Sequence, residues 1–419
     1  MPHRIVIPVS YAALSNRYNK QARHYVPAGI NYAILVPTLR CNLSCSYCQV
    51  SRANQDANGY DWTNQNLKAA INFIAEKATP GIKIEFQGGE PTLRLDLLRS
   101  IIDELNDRLI QPSFVICSNL QEVGDELLDL INRKNVQISC SLDGPQIIHQ
   151  QNRTMDDAFT DQFYRNFRFI RKNFGDDKIS VVSTVADYST IPQIIDFYFE
   201  EKIPELFLRP VNYQGFARKA FNEEAKDLEA WQKAYKSGIE HIFQRNALGS
   251  HKLVEATFAI HLSKFFNPSN NGYVDLRTPN PLCHDYIVID YDGALYPSDE
   301  ARMVSRVGLL DLKVGNLEVG LDEDRVRAVN VGSSNECDPT CMNCRFQSYC
   351  GVDNIDRVSR YGTIDVATED TYFCQNHFGI FEFVENKIRS SDPIDQRNLL
   401  LHLTGVYQDT TLFQGWLDD

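Results

Sequence analysis

The feature that most constrains the fold is a regular alternation of short apolar runs with longer amphipathic stretches, beginning near residue 30. This pattern is typical of successive β/α units around a parallel sheet. The predicted strands are Asn31–Pro37, Ile82–Gln87, Phe114–Ser118, Gln137–Leu142, Ile179–Ala186 and Glu205–Pro210. The predicted helices are Asn64–Lys77, Leu95–Arg108, Gly124–Arg133, Asp161–Asn173 and Ile191–Glu201. Such units predict an α/β protein, either a partial (β/α)6 barrel or a doubly wound sheet, and the pattern alone does not choose between them.

The second half of the chain departs from this alternation. Residues 218–266 have a mostly helical pattern, and a loop rich in Asn, Pro and Gly follows. Short strands are predicted at Tyr286–Asp290 and Ala294–Tyr296. We therefore predict an N-terminal extension (1–29), a barrel (30–240), a helical bridge (241–280), a cysteine-bearing domain (281–380) and a helical tail (381–419).

Composition narrows the classes of function. Hydrophobic residues make up 43% of the chain and charged residues 23%, as in globular proteins. The net charge of −13 argues against a nucleic-acid partner, because nucleic-acid-binding surfaces are basic. The sequence contains no run of 18 apolar residues and no signal-peptide pattern, so we expect a cytoplasmic protein with no membrane partner. Eleven cysteines in such a protein indicate metal sites, since the cytosol keeps thiols reduced.

Three cysteines share one short loop, Cys41-Asn-Leu-Ser-Cys45-Ser-Tyr-Cys48, directly after the first predicted strand. Parallel α/β folds bind ligands beyond the carboxyl ends of their strands. Three thiolates can hold three irons of a cubane and leave the fourth iron open to an outside ligand. A zinc loop is the alternative, but zinc sites usually combine two ligand pairs and no complementary pair lies nearby.

Two further motifs follow predicted strands. Gln87-Gly-Gly-Glu-Pro91 follows the second strand, where its glycines would let backbone carbonyls approach an ammonium group and Glu90 would supply a charge partner. Ser141-Leu-Asp-Gly-Pro145 follows the fourth strand, and its Asp-Gly pair is also an ordinary turn signal.

With these motifs the sequence resembles the radical S-adenosylmethionine (SAM) superfamily, in which an aromatic residue, here Tyr47, precedes the last cysteine of CxxxCxxC. The resemblance implies a [4Fe–4S] cluster on Cys41, Cys45 and Cys48 whose open iron binds SAM. Reductive cleavage of SAM then releases a 5′-deoxyadenosyl radical, while the protein supplies orientation and protection. The implied SAM contacts are Tyr47, Gln87, Gly88, Gly89, Glu90, Pro91, Ser118, Asn119, Ser141 and an arginine, with Arg165 favoured over Arg153.

A second cysteine group, Cys341, Cys344, Cys350 and Cys374, has the spacing CxxCxxxxxC plus a distant cysteine. It is similar to the SPASM domain of peptide-modifying radical SAM enzymes, which implies an auxiliary [4Fe–4S] cluster with no open iron. Structural zinc is the alternative.

A further auxiliary cluster is implied less completely. Cys283 fits the family pattern, but Ser298 and Asn354 stand where relatives have cysteines. Either Cys283 and the extra Cys337 join oxygen ligands such as Asp299 or Asp353 around an altered cluster, or no such cluster exists. We favour altered ligation.

The stretches Cys48-Gln-Val-Ser-Arg52 and Tyr296-Pro-Ser-Asp-Glu-Ala-Arg302 resemble maturases of the His-Xaa-Ser peptide system and, more distantly, anaerobic sulfatase maturases. The resemblance implies that a ribosomally made peptide receives a C–C (cyclophane-type) or thioether crosslink, or that a protein side chain is oxidised. It suggests Asp299 as the base, with Glu300 as the alternative. A non-catalytic iron–sulfur scaffold is less favoured, because a scaffold needs neither SAM motif.

The expected partners are a precursor peptide or protein and an electron donor such as flavodoxin or ferredoxin. Residues 1–29 are too few for an independent core. We therefore expect the leader of a precursor peptide to be read by the barrel, by the C-terminal tail or by a separate leader-binding protein.

Overall fold

Six parallel strands form the centre of the protein in a computed structural model that describes residues 28–221, 227–266, 276–278, 280 and 282–406. They are β1 (Ile30–Thr38), β2 (Ala78–Gly88), β3 (Ser113–Ser118), β4 (Val136–Ser141), β5 (Ile179–Val185) and β6 (Leu208–Pro210). Each strand pairs in parallel with the next one along the chain. From β1 to β6 each strand is added at the same edge of the sheet, without the reversal that marks a doubly wound sheet. The partial (β/α)6 barrel is therefore confirmed.

Helices connect these strands and cover the outside of the sheet. They are α1 (Asn64–Lys77), α2 (Leu95–Arg108), α3 (Asp125–Ile131), α4 (Asp157–Phe174) and α5 (Ile191–Glu200). The first two have the predicted bounds, and α4 begins four residues before the predicted start. That earlier start follows from Asp156, whose carboxylate accepts the backbone N–H groups of Ala158 and Phe159 as an N-cap. The apolar faces of helices and strands form one large core.

The second half of the chain extends the same sheet. Strand β7 (Tyr286–Ile289) pairs in parallel with β1, and β8 (Ala294–Tyr296), β9 (Gly315–Asn316) and β10 (Gly320–Leu321) continue antiparallel. The barrel and the cysteine-bearing region therefore share one ten-stranded sheet. Two-residue strands pair at Arg40–Cys41 with Ala53–Asn54 and at Glu205–Leu206 with Val254–Glu255.

Seven more helices complete the described part. They are α6 (Leu228–Leu248), α7 (Ala256–Phe266), α8 (Asp299–Arg306), α9 (Glu323–Val329), α10 (Asn354–Tyr361), α11 (Tyr372–Arg389) and α12 (Pro393–Val406). Single helical turns lie at Gln146–His149, Ala217–Ala220 and Pro339–Met342. Helices α6 and α11 cross the domain boundaries predicted at residues 240 and 380, so the domain division stays a prediction. The expected N-terminal extension and the end of the tail lie outside the described residues.

No helix among the described residues combines the length and the hydropathy needed to cross a bilayer.

Candidate functional site

The first cysteine loop is held in place at several points. Its start, Arg40–Cys41, pairs with Ala53–Asn54 as a short parallel ladder. The backbone N–H of Leu43 donates to Cys41 Sγ at 3.4 Å, and the N–H of Ser46 donates to the Asn152 carbonyl at 2.8 Å. All three thiols of the loop are half-buried, and burial raises the pKa of Cys41 to about 12. Bound iron would favour the thiolate forms, because a cation at the sulfur offsets this burial.

The two glycines after β2 let that strand approach the cysteine loop closely. A Cβ atom on Gly88, whose φ is +128°, would lie 2.2 Å from the Thr38 carbonyl oxygen. A Cβ atom on Gly89 would lie 2.2 Å from the Arg40 carbonyl oxygen. The Glu90 N–H donates to the same Arg40 carbonyl at 2.8 Å. Only glycine fits this approach without moving the backbone.

Glu90 connects the loops that follow β2 and β3. Its carboxylate accepts hydrogen bonds from Thr92 Oγ1 and from the Asn119 N–H, both at 2.7 Å. Burial raises the pKa of Glu90, and these donors offset part of that effect. The Asn119 amide in turn donates to Asn42 Oδ1 at 2.7 Å and lies 3.9 Å from Cys41 Sγ. The ends of three strands are thus tied together around the cysteines.

Tyr47 anchors the other side of the loop. Its hydroxyl donates to Asp143 Oδ2 at 2.6 Å and accepts from Arg153 Nη1 at 2.9 Å. Burial opposes the charge of Arg153, but Cys45, Tyr47 and Asp143 together raise the pKa of Arg153 well above its usual value. The sequence marked Asp143 as a turn residue, whereas the structure places it fully buried as a partner of the cysteine loop.

These groups surround one cavity of about 250 Å³ at the carboxyl ends of the strands. The predicted residues that line it are Cys41, Cys45, Tyr47, Cys48, Gln87, Gly88, Gly89, Glu90, Pro91, Ser118, Asn119, Ser141 and Arg153. Cys117 and Cys140 also face it, as do Glu85 and Arg209. Strand alternation could have revealed Glu85, which lies two residues before Gln87 on the same face of β2.

Arg165, the arginine favoured from sequence, does not line this cavity. It lies on the exposed face of α4 and donates to Gln162 Oε1 at 2.7 Å. The opposite face of α4 carries Phe163 and Phe167 into the core, so Arg165 points outward. Arg153 occupies the cavity wall instead, and the expected preference between the two arginines is reversed.

The second cysteine group also gathers in one place. Cys341, Cys344, Cys350 and Cys374 line a cavity of about 530 Å³. Asp338 Oδ1 accepts the Cys341 N–H at 2.9 Å. Among the described residues, no three His, Cys, Asp or Glu side chains are grouped tightly enough for a single metal ion. Each thiolate of a cubane binds a different iron, and four thiols around one cavity are the donor set of a closed [4Fe–4S] cluster.

The remaining two predicted metal ligands lie apart from that site. Cys283 is 4% exposed and packs into the main hydrophobic core, whereas Cys337 is exposed. Neither lines a third cavity, of about 660 Å³, whose walls include Asp299 and Asp353. Ser298, at a position where relatives have a cysteine, instead caps α8 by accepting the Ala301 N–H. These positions do not support the altered cluster expected from the sequence.

Asp299 and Glu300, the predicted bases, line a cavity of about 660 Å³ between the barrel and the second half of the chain. Asp299 Oδ1 accepts from both Nε and Nη2 of Arg302, at 2.9 and 2.7 Å. Arg302 is fully buried and also lies 3.7 Å from Asp290. Asp299 therefore serves as a counter-ion for a buried guanidinium, which conflicts with its use as a proton acceptor.

The sequence of residues 35–198 matches the radical SAM superfamily. These residues form a radical SAM domain. Over 371 residues the chain is 24% identical to a cysteine-type anaerobic sulfatase-maturating enzyme of Clostridium novyi, covering 82% of this chain and 91% of that enzyme. An uncharacterized protein of Methanothermobacter thermautotrophicus is 26% identical over 174 residues, 40% of this chain and 63% of the relative. The chain thus spans less than two thirds of that archaeal relative's length.

Solved structures share the fold. The anSMEcpe enzyme with bound AdoMet superposes with a TM-score of 0.68 at 18% identity, covering 85% of this chain and 97% of that one. Streptococcus suis SuiB bound to its precursor peptide SuiA has a TM-score of 0.59 at 16% identity, covering 88% and 82%. The predicted resemblance to the radical SAM superfamily is confirmed for residues 35–198, and these structures confirm the predicted fold.

Proposed function

We propose that this radical SAM enzyme cleaves SAM reductively at a [4Fe–4S] cluster on Cys41, Cys45 and Cys48 and modifies a ribosomally made peptide. The observation that carries the proposal is the cavity in which these three thiols meet the glycines after β2 and the half-buried Arg153. The donor set fits the cofactor, because three thiols leave one iron open for SAM. When bound, the cluster supplies the electron that cleaves SAM.

The chain's own residues orient SAM and exclude water. Arg153, fixed by Tyr47 and Asp143, offers a guanidinium fork that suits the SAM carboxylate. Gly88 and Gly89 line the cavity, and the absence of side chains leaves room there for the SAM ammonium group. Burial of these groups strengthens each electrostatic contact.

Anaerobic reconstitution with iron and sulfide tests the proposal. With SAM and dithionite we expect 5′-deoxyadenosine, measured by liquid chromatography and mass spectrometry. A protein with Cys41, Cys45 and Cys48 all changed to Ala should produce none. Cys337→Ala is the matched control, since this thiol lies outside both cysteine cavities. A reconstituted wild-type protein that releases no 5′-deoxyadenosine would sink the enzyme proposal.

We also propose that Cys341, Cys344, Cys350 and Cys374 hold an auxiliary [4Fe–4S] cluster. Changing Cys344 and Cys350 to Ala should lower the iron content by about four per chain while SAM cleavage continues. Zinc in place of iron at this site, detected by elemental analysis of the purified protein, would contradict this assignment.

The substrate proposed is a peptide that receives a C–C (cyclophane-type) or thioether crosslink. The 660 Å³ cavity next to the SAM cavity supports a bulky substrate, and SuiB binds a precursor peptide, SuiA. Co-expression with short peptides encoded beside the gene should give a product lighter by two hydrogens with linked fragments. Side-chain oxidation in a protein is the second candidate, favoured by the similarity to sulfatase maturases over 82% of this chain. It predicts an oxidised Cys or Ser in a sulfatase peptide and no linked fragments.

We also propose that the enzyme is cytoplasmic and receives electrons from an external donor such as flavodoxin or ferredoxin. A separate protein would bind the leader of the precursor peptide. Replacing dithionite with reduced flavodoxin should sustain SAM cleavage. A failure of both flavodoxin and ferredoxin would contradict the choice of donor.

A further inference from the structure

The two cavities of the barrel meet at a narrow boundary. The smaller cavity, with the first cysteine loop, and the larger one share Gln49, Glu85, Gln87 and Arg209. On the proposed function, hydrogen abstraction requires the substrate carbon to lie beside SAM. A substrate held in the larger cavity must therefore reach these four residues.

Glu85 is the one carboxylate among these four shared residues, and several hydrogen-bond donors contact it. It lies on β2 with 14% of its side chain exposed. Oε1 accepts from Gln87 Nε2 at 2.6 Å and from Cys117 Sγ at 3.2 Å. Oε2 accepts from the Tyr32 hydroxyl at 2.9 Å, and Lys83 Nζ lies 3.6 Å away. A carboxylate largely removed from water needs such hydrogen-bond donors in place of the lost solvent.

Residues from the second half of the chain also hold Glu85 and its hydrogen-bond donors in place. The Tyr32 ring stacks on Tyr286 of β7 with a centroid distance of 5.0 Å and an interplanar angle of 16°. The Tyr286 hydroxyl accepts the backbone N–H of Asp299 at 3.3 Å. Glu85 is thereby held by groups from β1, β2 and β3 and, through Tyr286, from the start of α8. A hydrogen-bond acceptor that is held rigidly inside a cavity is preorganised to bind a ligand.

We propose that Glu85 anchors the side chain of the peptide residue that enters the barrel, by accepting a hydrogen bond from it. The ligand class is a side chain with an N–H, O–H or S–H donor, such as an imidazole, hydroxyl or thiol. The thiol of Cys117 is the weakest of the present donors to Oε1 and is the one that a substrate donor displaces. Glu85 selects against carboxylate side chains by charge repulsion. It also selects against hydrocarbon side chains, because they would displace the Cys117 thiol without donating a hydrogen bond in its place.

This assignment differs from the role first expected of Asp299. Asp299 lines the larger cavity without reaching the smaller one, and Arg302 engages it through two N–H groups. Glu85 lines both cavities. The boundary thus places Glu85, and not Asp299, next to the atoms that react under the proposed function.

The test is an anaerobic selection of randomised eight-residue peptides by mRNA display. The bait is the full chain, reconstituted with iron and sulfide and loaded with SAM, without reductant. Wild type should enrich a position occupied by His, Ser, Thr, Cys or Tyr. Resynthesised peptides should bind about 10- to 100-fold more tightly than partners with Ala or Phe at that position. Glu85→Gln should reduce this ratio to about two-fold or less.

Three controls separate the outcomes. Glu85→Asp keeps the charge and should retain most of the donor preference, and Glu104→Gln changes an exposed carboxylate of α2 and should change nothing. Circular dichroism and thermal unfolding show whether each variant is folded. A wild type that enriches no donor-bearing position, or a preference that Glu85→Gln retains, overturns the assignment. The selection needs no turnover, so missing 5′-deoxyadenosine contradicts the proposed function and leaves this result standing.

Discussion

Arg153 is the half-buried cation beside the first cysteine loop. Its guanidinium lies beside Tyr47 and Asp143, where the surrounding partners outweigh the cost of removing the charge from water. The backbone at this point is unusual, because Gln150–Thr154 forms a wide π-type turn that ends at Met155 with φ of +57°. Such turns cluster at functional sites.

We predict that Arg153→Met weakens SAM binding by at least about ten-fold and destabilises the fold by about 3 kcal/mol, since it leaves Asp143 buried without its cation. Calorimetric titration of the reconstituted protein with SAM and denaturant unfolding measure the two effects. Arg165→Met is the matched control and should leave both unchanged, because Arg165 is exposed on α4. Equal losses in the two variants would contradict the role given to Arg153.

The cysteine motifs stand out in the sequence, whereas the arginine of the cavity wall and the ion pair of Asp299 do not. Ligand spacing within a loop is local information, so Cys41, Cys45 and Cys48 follow directly from the chain. The position of Arg153 depends on a π-type turn with no periodic side-chain signal. The pairing of Asp299 with Arg302 depends on burial that the sequence does not reveal.

At the scale of elements, the end of β2 sets the shape of the SAM cavity. Gly88 and Gly89 bring it against the carbonyls of Thr38 and Arg40, at the junction between β1 and the cysteine loop. The bounds of α1 and α2 were predicted correctly because amphipathic periodicity and caps are local signals. The contact between strand ends is non-local and appears only in the folded chain.

We predict that Gly89→Ala destabilises the protein by about 2–4 kcal/mol and abolishes SAM binding, because its Cβ atom would collide with two backbone carbonyl oxygens. Thermal unfolding and SAM titration provide the measurements. Gly124→Ala, before α3, is the control, since a Cβ atom there meets nothing within 4 Å. A Gly89→Ala protein that binds SAM normally would show that the strand ends can separate.

The last described helix, α12, is attached to α6 by the buried side chain of Asn398. Asn398 accepts from Asn246 Nδ2 at 2.8 Å and donates to the Phe243 carbonyl at 3.1 Å, both on α6. We predict that Asn398→Ala costs about 1–3 kcal/mol, because buried polar atoms of α6 lose their partner. Denaturant unfolding measures the loss. Gln396→Ala, on the same helix, should cost less than about 0.5 kcal/mol, and a similar loss in both variants would contradict this explanation.

At the scale of the whole molecule, one continuous sheet joins the barrel to the second half of the chain. The parallel pairing of β1 with β7 joins the strand that precedes the first cysteine loop to the second half of the chain. The alternation of strands and helices predicted the β/α units of the barrel. The sheet extension was not predicted, because its pairing joins strands about 250 residues apart. The cavity of about 660 Å³ has walls from both halves of the chain, which this pairing brings together.

Buried ionisable groups around α7 give the molecule opposing responses to pH. Burial lowers the pKa of His261 and His402 to about 4, so the stability from keeping them neutral is full above about pH 6.5 and is lost as the pH falls towards 4. Burial raises the pKa of Glu255 to about 7. Its contribution has the opposite sign: it is most favourable below about pH 4.5 and is lost as the pH rises through 7.

We therefore predict that Glu255 offsets part of the acid destabilisation caused by the histidines. In Glu255→Gln, the loss of unfolding free energy between pH 7.5 and pH 5 should exceed that of wild type by about 2–3 kcal/mol, because the variant gains no proton on folding. Denaturant unfolding of each protein at both pH values isolates this term, since any fixed cost of the substitution cancels. Glu104→Gln should follow wild type, and a pH dependence unchanged by Glu255→Gln would mean that Glu255 keeps its charge in the folded state.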